Sequence, residues 1–365
     1  MNNQKKWVLS SANHGRTRWA TTISGLPSKK PKWQLLKSAK YGVSREICLT
    51  EKRIFLCSAE LIAVAIDIES GEKVWETLFP KDATFDIAIN DKEVLISPYI
   101  LDQEEGKIID DLSNIENIGF TADVSNNVFY CSTQEPTKGL VRLDERRDQF
   151  LFDVGLLMVH EESGLVIGKY NHHVFCSEWG CLRPVWEISL PVAQNGKPMF
   201  PSSVFMYIGN MVYVHICKDT LLKISIHTGD IIWQSGPSEI EENETPYQCK
   251  PPQRFLGCED ALYLCDEIDD KGYLQARSTE DGRELWFIDT PQARAFLIAG
   301  DLLFGALDDL PVAWDRHTGE VVWKADKKMT AIIHAAAAAN KIIYTNTMSQ
   351  MRCYEWAEPY HSPAK

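Results

Sequence analysis

No run of 18 apolar residues occurs in the 365-residue chain, so no segment is long and apolar enough to span a membrane as a helix. The basic residues near the N-terminus are followed by no apolar stretch, so a secretory leader is not expected there. The same acid-free start resembles an organelle transit peptide only superficially, because it has no clear apolar face. The ten cysteines form no CxxC and no adjacent pair. Several follow apolar runs, where a thiol acts as a small hydrophobe, and we read them as reduced in a cytoplasmic compartment. There is no GxGxxG, P-loop, HExxH or GxSxG, so no named reaction is indicated. The first forty residues contain no Asp or Glu but nine Lys or Arg; the other 325 residues carry a net charge of −22, within a total of −13. An acidic body makes nucleic acid an unlikely partner and favours cationic ones.

What the chain does contain is a repeat. Eight apolar triplets, each followed by a small or polar residue, begin at Ile54, Val94, Val128, Leu165, Val212, Leu262, Leu302 and Ile342. Their mean spacing is about 41 residues. Turn-like pairs such as Asn90-Asp91, Ser163-Gly164 and Gly300-Asp301 precede the triplets, with another apolar run before most of them. This predicts a hairpin in each unit.

A second signature follows the triplet. Ala65-Ile66-Asp67-Ile68-Glu69-Ser70-Gly71 leads to Trp75, and Ala313-Trp314-Asp315-Arg316-His317-Thr318-Gly319 leads to Trp323. Thr228-Gly229 precedes Trp233 and Asp281-Gly282 precedes Trp286 with the same step of four; Asp110, Phe152 and Trp186 occupy the position in weaker copies. The glycine supplies the positive φ of a turn, and the indole begins or sits in a fourth strand. Four strands per unit, repeated radially, predict an all-β, eight-bladed β-propeller of four-stranded antiparallel blades. Trp33, Trp75, Trp186, Trp233, Trp286 and Trp323 are expected to wedge between neighbouring blades, each indole N–H meeting a backbone carbonyl next door.

The eighth unit ends after its third strand at Met351–Trp356, whereas Pro31–Leu36 is an orphan fourth strand one period before Trp75. Strands from both termini should therefore share one blade and close the ring. The expected organisation is a basic tail over 1–30, one propeller domain over 31–357 and a C-terminal tail over 358–365.

The copies at 65–75 and 313–323 resemble the tryptophan-docking repeat of PQQ-like β-propellers, a superfamily of quinoproteins and an outer-membrane assembly lipoprotein. The resemblance runs from about Trp33 to Trp356. It implies the fold; it implies no one activity, because propellers host many. Quinoprotein dehydrogenases of this kind carry an adjacent cysteine pair and acidic and amide ligands to Ca²⁺; this chain lacks the pair. Its clusters Asp266–Asp270 and Asp308-Asp309 lack the alternating spacing of a calcium loop. No catalytic residue, metal site or cofactor is therefore assigned. His172-His173 cannot chelate one metal from a regular strand. His160, His215 and His334, at related places in different units, could line the central channel.

The longest connections, 190–203 and 234–253, both follow fourth strands, and a shorter one at 267–272 follows a second strand. All three should rise from one rim. Glu239, Glu241, Glu242, Glu244 and Tyr247, with Met199, Phe200, Asp269 and Asp270, are the candidate partner-binding residues, combining charges for steering with side chains for anchoring. The leading reading is a non-enzymatic protein-binding platform for a basic partner, in its sharpest form an inhibitor or immunity-type protein. The alternative is a quinone- or small-ligand-binding propeller using its channel.

Overall fold

In the computed structural model, residues 19–20, 25–35, 47–58, 60–80, 83, 87–115, 118–125, 128–133, 139–143, 149–151, 156–160, 163–170, 173–179, 183–190, 205–217, 220–235, 254–268, 271–290, 293–338, 340–346 and 350–363 are described. They contain strands and turns and no helix. Among the described residues the strands assemble into eight sheets, antiparallel apart from one added strand.

The first sheet runs Ile47–Leu49, Arg53–Cys57, Ile62–Asp67, Lys73–Leu78, each strand paired with the next. The second sheet (Ala88–Ile89 to Ile108–Asp111), third (Ile118–Ser125 to Gln149–Leu151), fourth (Leu156–His160 to Pro184–Ser189), fifth (Phe205–Ile208 to Ile231–Ser235) and sixth (Arg254–Gly257 to Glu284–Asp289) repeat that order. The seventh comprises Ala293–Ala299, Leu302–Leu307, Leu310–Asp315 and Val321–Lys324. In the eighth, Ile332–Ala338, Lys341–Asn346 and Met351–Glu358 are consecutive, and the fourth position is filled by Trp33–Leu35, with Trp33 opposite Cys353.

Pairing also begins earlier in the chain than residue 31, so part of the stretch read as a tail belongs to the sheets. Leu26–Pro27 runs antiparallel to Trp356–Glu358. Trp19–Ala20 lies parallel to Ile298–Ala299, on the edge of the seventh sheet away from its other strands.

The first strands of successive sheets lie against one another: Ala293–Ala299 packs on both Arg254–Gly257 and Ile332–Ala338, and Ile332–Ala338 packs on Ile47–Leu49. First strands are thus the inner edges and fourth strands the outer ones. This explains the apolar pattern. Inner strands are covered on both faces by neighbouring sheets, so they read as continuous apolar runs, such as Leu302–Leu307, buried up to its last residue. Fourth strands alternate: in Glu284–Asp289 only Trp286 is buried. Hydrophobic clusters therefore cross sheet boundaries; one joins Ile54, Val64 and Trp75 with Ala336, Ile343 and Cys353.

Candidate functional site

The seams between sheets are built by one local device. Asp67 Oδ1 accepts hydrogen bonds from the amides of Glu69 (3.0 Å) and Ser70 (2.8 Å), and the Gly71 amide closes the turn on the Asp67 carbonyl at 2.9 Å. Asp315 does the same for His317 and Thr318, with Gly319 closing. The carbonyl of the residue after this Asp, or after the Ser that replaces it in the fifth and sixth sheets, accepts from the preceding sheet's indole. Trp33 Nε1 donates to Ile68 O at 3.1 Å, Trp75 to Gln103 O at 3.1 Å and Trp186 to Ile226 O at 2.7 Å. Trp233 donates to Thr279 O at 3.2 Å and Trp286 to Arg316 O at 3.0 Å.

Three residues past each acceptor stands a positive-φ glycine beneath the indole. A Cβ on Gly229 (φ 77°) would lie 2.7 Å from Trp186 Cγ, so the position needs glycine for both backbone conformation and contact. Trp323 departs from this pattern. It is buried and sits edge-on to Tyr354 at 5.4 Å, but its Nε1 has no acceptor. The third strand of the eighth sheet runs straight on through Glu358 instead of turning back as Asp-x-x-Thr-Gly.

Where the eighth sheet meets the first, a cleft of about 580 Å³ is lined by Lys52, Arg53, Glu69, Lys341 and Glu355 among others. Two of the three cations in its lining are already engaged, Arg53 with Glu104 and Lys341 with two carboxylates. Lys341, 5% exposed at the side chain, lies 2.7 Å from Glu69 and 3.6 Å from Glu355; Lys32 reaches the same two carboxylates. The cleft joins strands from opposite ends of the chain.

Sequence reasoning missed a second polar network, between the sixth and seventh sheets. Arg316 Nη1 donates to Asp260 Oδ1 (2.7 Å), to Cys258 Sγ (3.3 Å) and to Tyr263 OH (3.4 Å). Burial pushes the Cys258 thiol up to about 12, so it is no nucleophile at neutral pH. The C-terminal segment docks close by: Tyr360 OH donates to Asp315 Oδ2 at 2.6 Å, and the Ser362 amide to Asp301 Oδ2 at 3.2 Å. The only hint in the sequence was the charged Arg316 at a position filled elsewhere by Ile68, Gln103, Ile226 and Thr279.

The three histidines proposed for the channel are buried and occupy unrelated places. His160 ends a first strand, bonded to Ser163 and to the Gly209 carbonyl; His215 lies in a second strand opposite Leu221; His334 is the third residue of a first strand, opposite Thr345. Counted from the starts of their triplets they stand at −5, +3 and −8, so they share no place in the repeat. Asp308-Asp309 is a two-residue hairpin turn with φ of 52° and 62°, its carboxylates bonded to Lys328 and to the Ala331 amide. His173 pairs with Glu187 at 2.9 Å. His172 and all nine candidate partner-binding residues (Met199, Phe200, Glu239, Glu241, Glu242, Glu244, Tyr247, Asp269 and Asp270) lie outside the described residues.

The strands that frame those connections are described. Ser189 lies opposite His173, Ser235 opposite Leu221 and Lys271 opposite Ile268. All three connections therefore leave the rim that carries the second-to-third hairpins. A different feature adjoins them. Ten large hydrophobic side chains are exposed among the described residues, and every one is on a fourth strand. Five of them (Val185, Ile231, Ile232, Leu285 and Phe287) belong to the fourth, fifth and sixth sheets.

Repeated four-stranded sheets packed through their first strands and pinned by indoles define the fold of the PQQ-like β-propellers. No family model matches the sequence, and no curated protein sequence matches it. Solved structures do: BamB from Moraxella catarrhalis superposes with a TM-score of 0.63 at 12% identity, covering 91% of this chain and 99% of that one. A quinohemoprotein alcohol dehydrogenase from Comamonas testosteroni gives 0.67 at 10% identity, covering 95% and 80%, and the computationally designed Ika8 protein gives 0.61 at 12% identity. A quinone with its Ca²⁺ would need acidic and amide side chains converging near the axis. Among the described residues no three His, Cys, Asp or Glu side chains converge on one point.

Proposed function

We propose that this chain is an eight-bladed ring, closed by its own N-terminal strand, that serves as a non-enzymatic docking platform for a basic protein, an inhibitor or immunity-type role being its sharpest form. The observation that carries this reading is the placement of exposed apolar side chains on outer edge strands. A fourth strand has one row of unpaired N–H and C=O groups, and large aliphatic or aromatic side chains beside such a row suit a protein surface or an added strand. On the fifth sheet this strand, Ile231–Ser235, leads into the connection that bears Glu239–Glu244, where negative charge would steer a cationic partner. Ring closure is supported by Trp33 lying opposite Cys353 while its indole bonds the first sheet. Cys48, Cys57, Cys131, Cys176, Cys258, Cys265 and Cys353 are buried, as small apolar side chains in a reducing compartment would be.

The test is affinity capture with the full chain from its native host. Two variants are compared with wild type: charge reversal of Glu239, Glu241, Glu242 and Glu244 to Lys, and Ile232→Ser with Phe287→Ser. A partner retained by wild type and lost by both variants supports the platform. A partner held equally by all three, or none at all, overturns it. The dehydrogenase likeness favours a second reading, a quinone- or small-ligand-binding propeller. A thermal shift or dye reduction on adding PQQ with Ca²⁺ would promote it.

A further inference from the structure

Trp19–Ala20 pairs with the first strand of the seventh sheet, and it does so in parallel. Every other strand pairing among the described residues is antiparallel, as hairpin connections demand. A parallel strand on the inner edge is an addition to the repeat. It occupies a row of backbone donors and acceptors that the repeat itself leaves open toward the axis. We propose that this inner edge is a docking site for the chain's own N-terminal segment, which enters as a parallel strand and obstructs the axis of the ring.

Two further observations fix the geometry. Leu26–Pro27 is anchored on Trp356–Glu358, and it packs against Val321–Lys324, the fourth strand of the same seventh sheet. From the position inside the first strand to the fourth strand is four interstrand steps, about 19 Å. Six Cα steps separate Ala20 from Leu26, a reach of about 20 Å. The tether is just long enough, so anchoring Leu26–Pro27 holds Ala20 near the inner edge at high effective concentration. Direction follows from the parallel register. Trp19 to Ala20 runs in the same direction as Ala293–Ala299, which starts at the rim that carries the second-to-third hairpins. The sequence before Trp19 includes Lys5, Lys6, Arg16 and Arg18 and no acid, whereas the chain beyond residue 40 carries −22. Charge thus favours the inserted state, and salt should weaken it.

This inference needs no partner, so its test is separate from that of the platform. Hydrogen–deuterium exchange on the full chain reads the amides of 17–22 directly. They are expected to exchange at least about tenfold more slowly than an unstructured peptide, and faster in Arg16→Glu with Arg18→Glu. A variant lacking residues 1–24 keeps the ring-closing strand at Leu26–Leu35. In it, Ala293–Ala299 should lose protection, and a synthetic peptide of residues 12–24 should restore it. Exchange of 17–22 at unstructured rates in the full chain overturns the proposal. Unchanged protection of Ala293–Ala299 after the deletion overturns it too.

Discussion

Trp186 and Trp323 are buried to a similar extent, 8% and 5% exposed, each on a fourth strand against the next sheet. They differ in one bond. Trp186 Nε1 donates to the carbonyl of Ile226, a residue with no exposure, at 2.7 Å; Trp323 Nε1 has no acceptor. Substitution by Phe removes a similar volume at either site, and we assign that loss about 1 kcal/mol. At 186 it also leaves the Ile226 carbonyl buried and unpaired, which adds about 1–3 kcal/mol. At 323 it removes a donor that was already unpaired, so that penalty disappears. Trp186→Phe should therefore destabilise by about 1–3 kcal/mol more than Trp323→Phe. The assay is the midpoint of urea unfolding at constant m-value, followed by circular dichroism. If Trp323→Phe shifts the midpoint as far as Trp186→Phe, the seam hydrogen bond contributes nothing and the account of the indoles fails.

Gly229→Ala and Gly164→Ala both place a side chain at positive φ, about 1 kcal/mol of strain each. Only the first drives a Cβ into an indole, so it should lower the unfolding midpoint clearly more; equal shifts would show that the ring does not rest on the glycine. Burial pushes the Cys57, Cys176 and Cys353 thiols up to about 12, and Cys48, Cys131, Cys258 and Cys265 are buried as well. Thiol titration of the native protein at pH 8 should therefore show no more than three fast-reacting groups among ten, with the rest released by denaturant. Burial raises the Asp315 carboxyl, but hydrogen bonds from Ser362, Tyr360 and the His317 and Thr318 amides outweigh it and hold the group below the usual carboxylate range. A depressed folded pKa stabilises docking above the unfolded value near 4 and loses that stability as pH falls through the folded one. Cleavage by an acid protease within 358–363 should thus rise steeply below about pH 4, and Asp315→Asn should remove the pH step; cleavage flat with pH would break the link.

The triplet spacing and the Asp-x-x-Thr-Gly turns were enough to read an all-β chain of repeated four-stranded units, because those patterns are local. A turn that needs positive φ selects glycine, and a doubly covered strand selects an unbroken apolar run. The pairing of Trp33–Leu35 with Met351–Glu358 was also legible, since each end of the chain lacked what the other had left over. What the spacing could not convey was which polar side chains the packed sheets would bury. His160 and His334 lie in first strands and His215 in a second strand, and all three are buried. Nor could it show that Trp323 would face a sheet with no returning turn. The Arg316–Asp260–Cys258 network joins residues more than fifty positions apart, and the exposed apolar side chains on the fourth strands are neighbours only around the outside of the sheets. Local steric and solvation preferences fix the unit and its turns; which unit faces which, and what stays uncovered when they meet, depends on contacts that exist only after the sheets have packed.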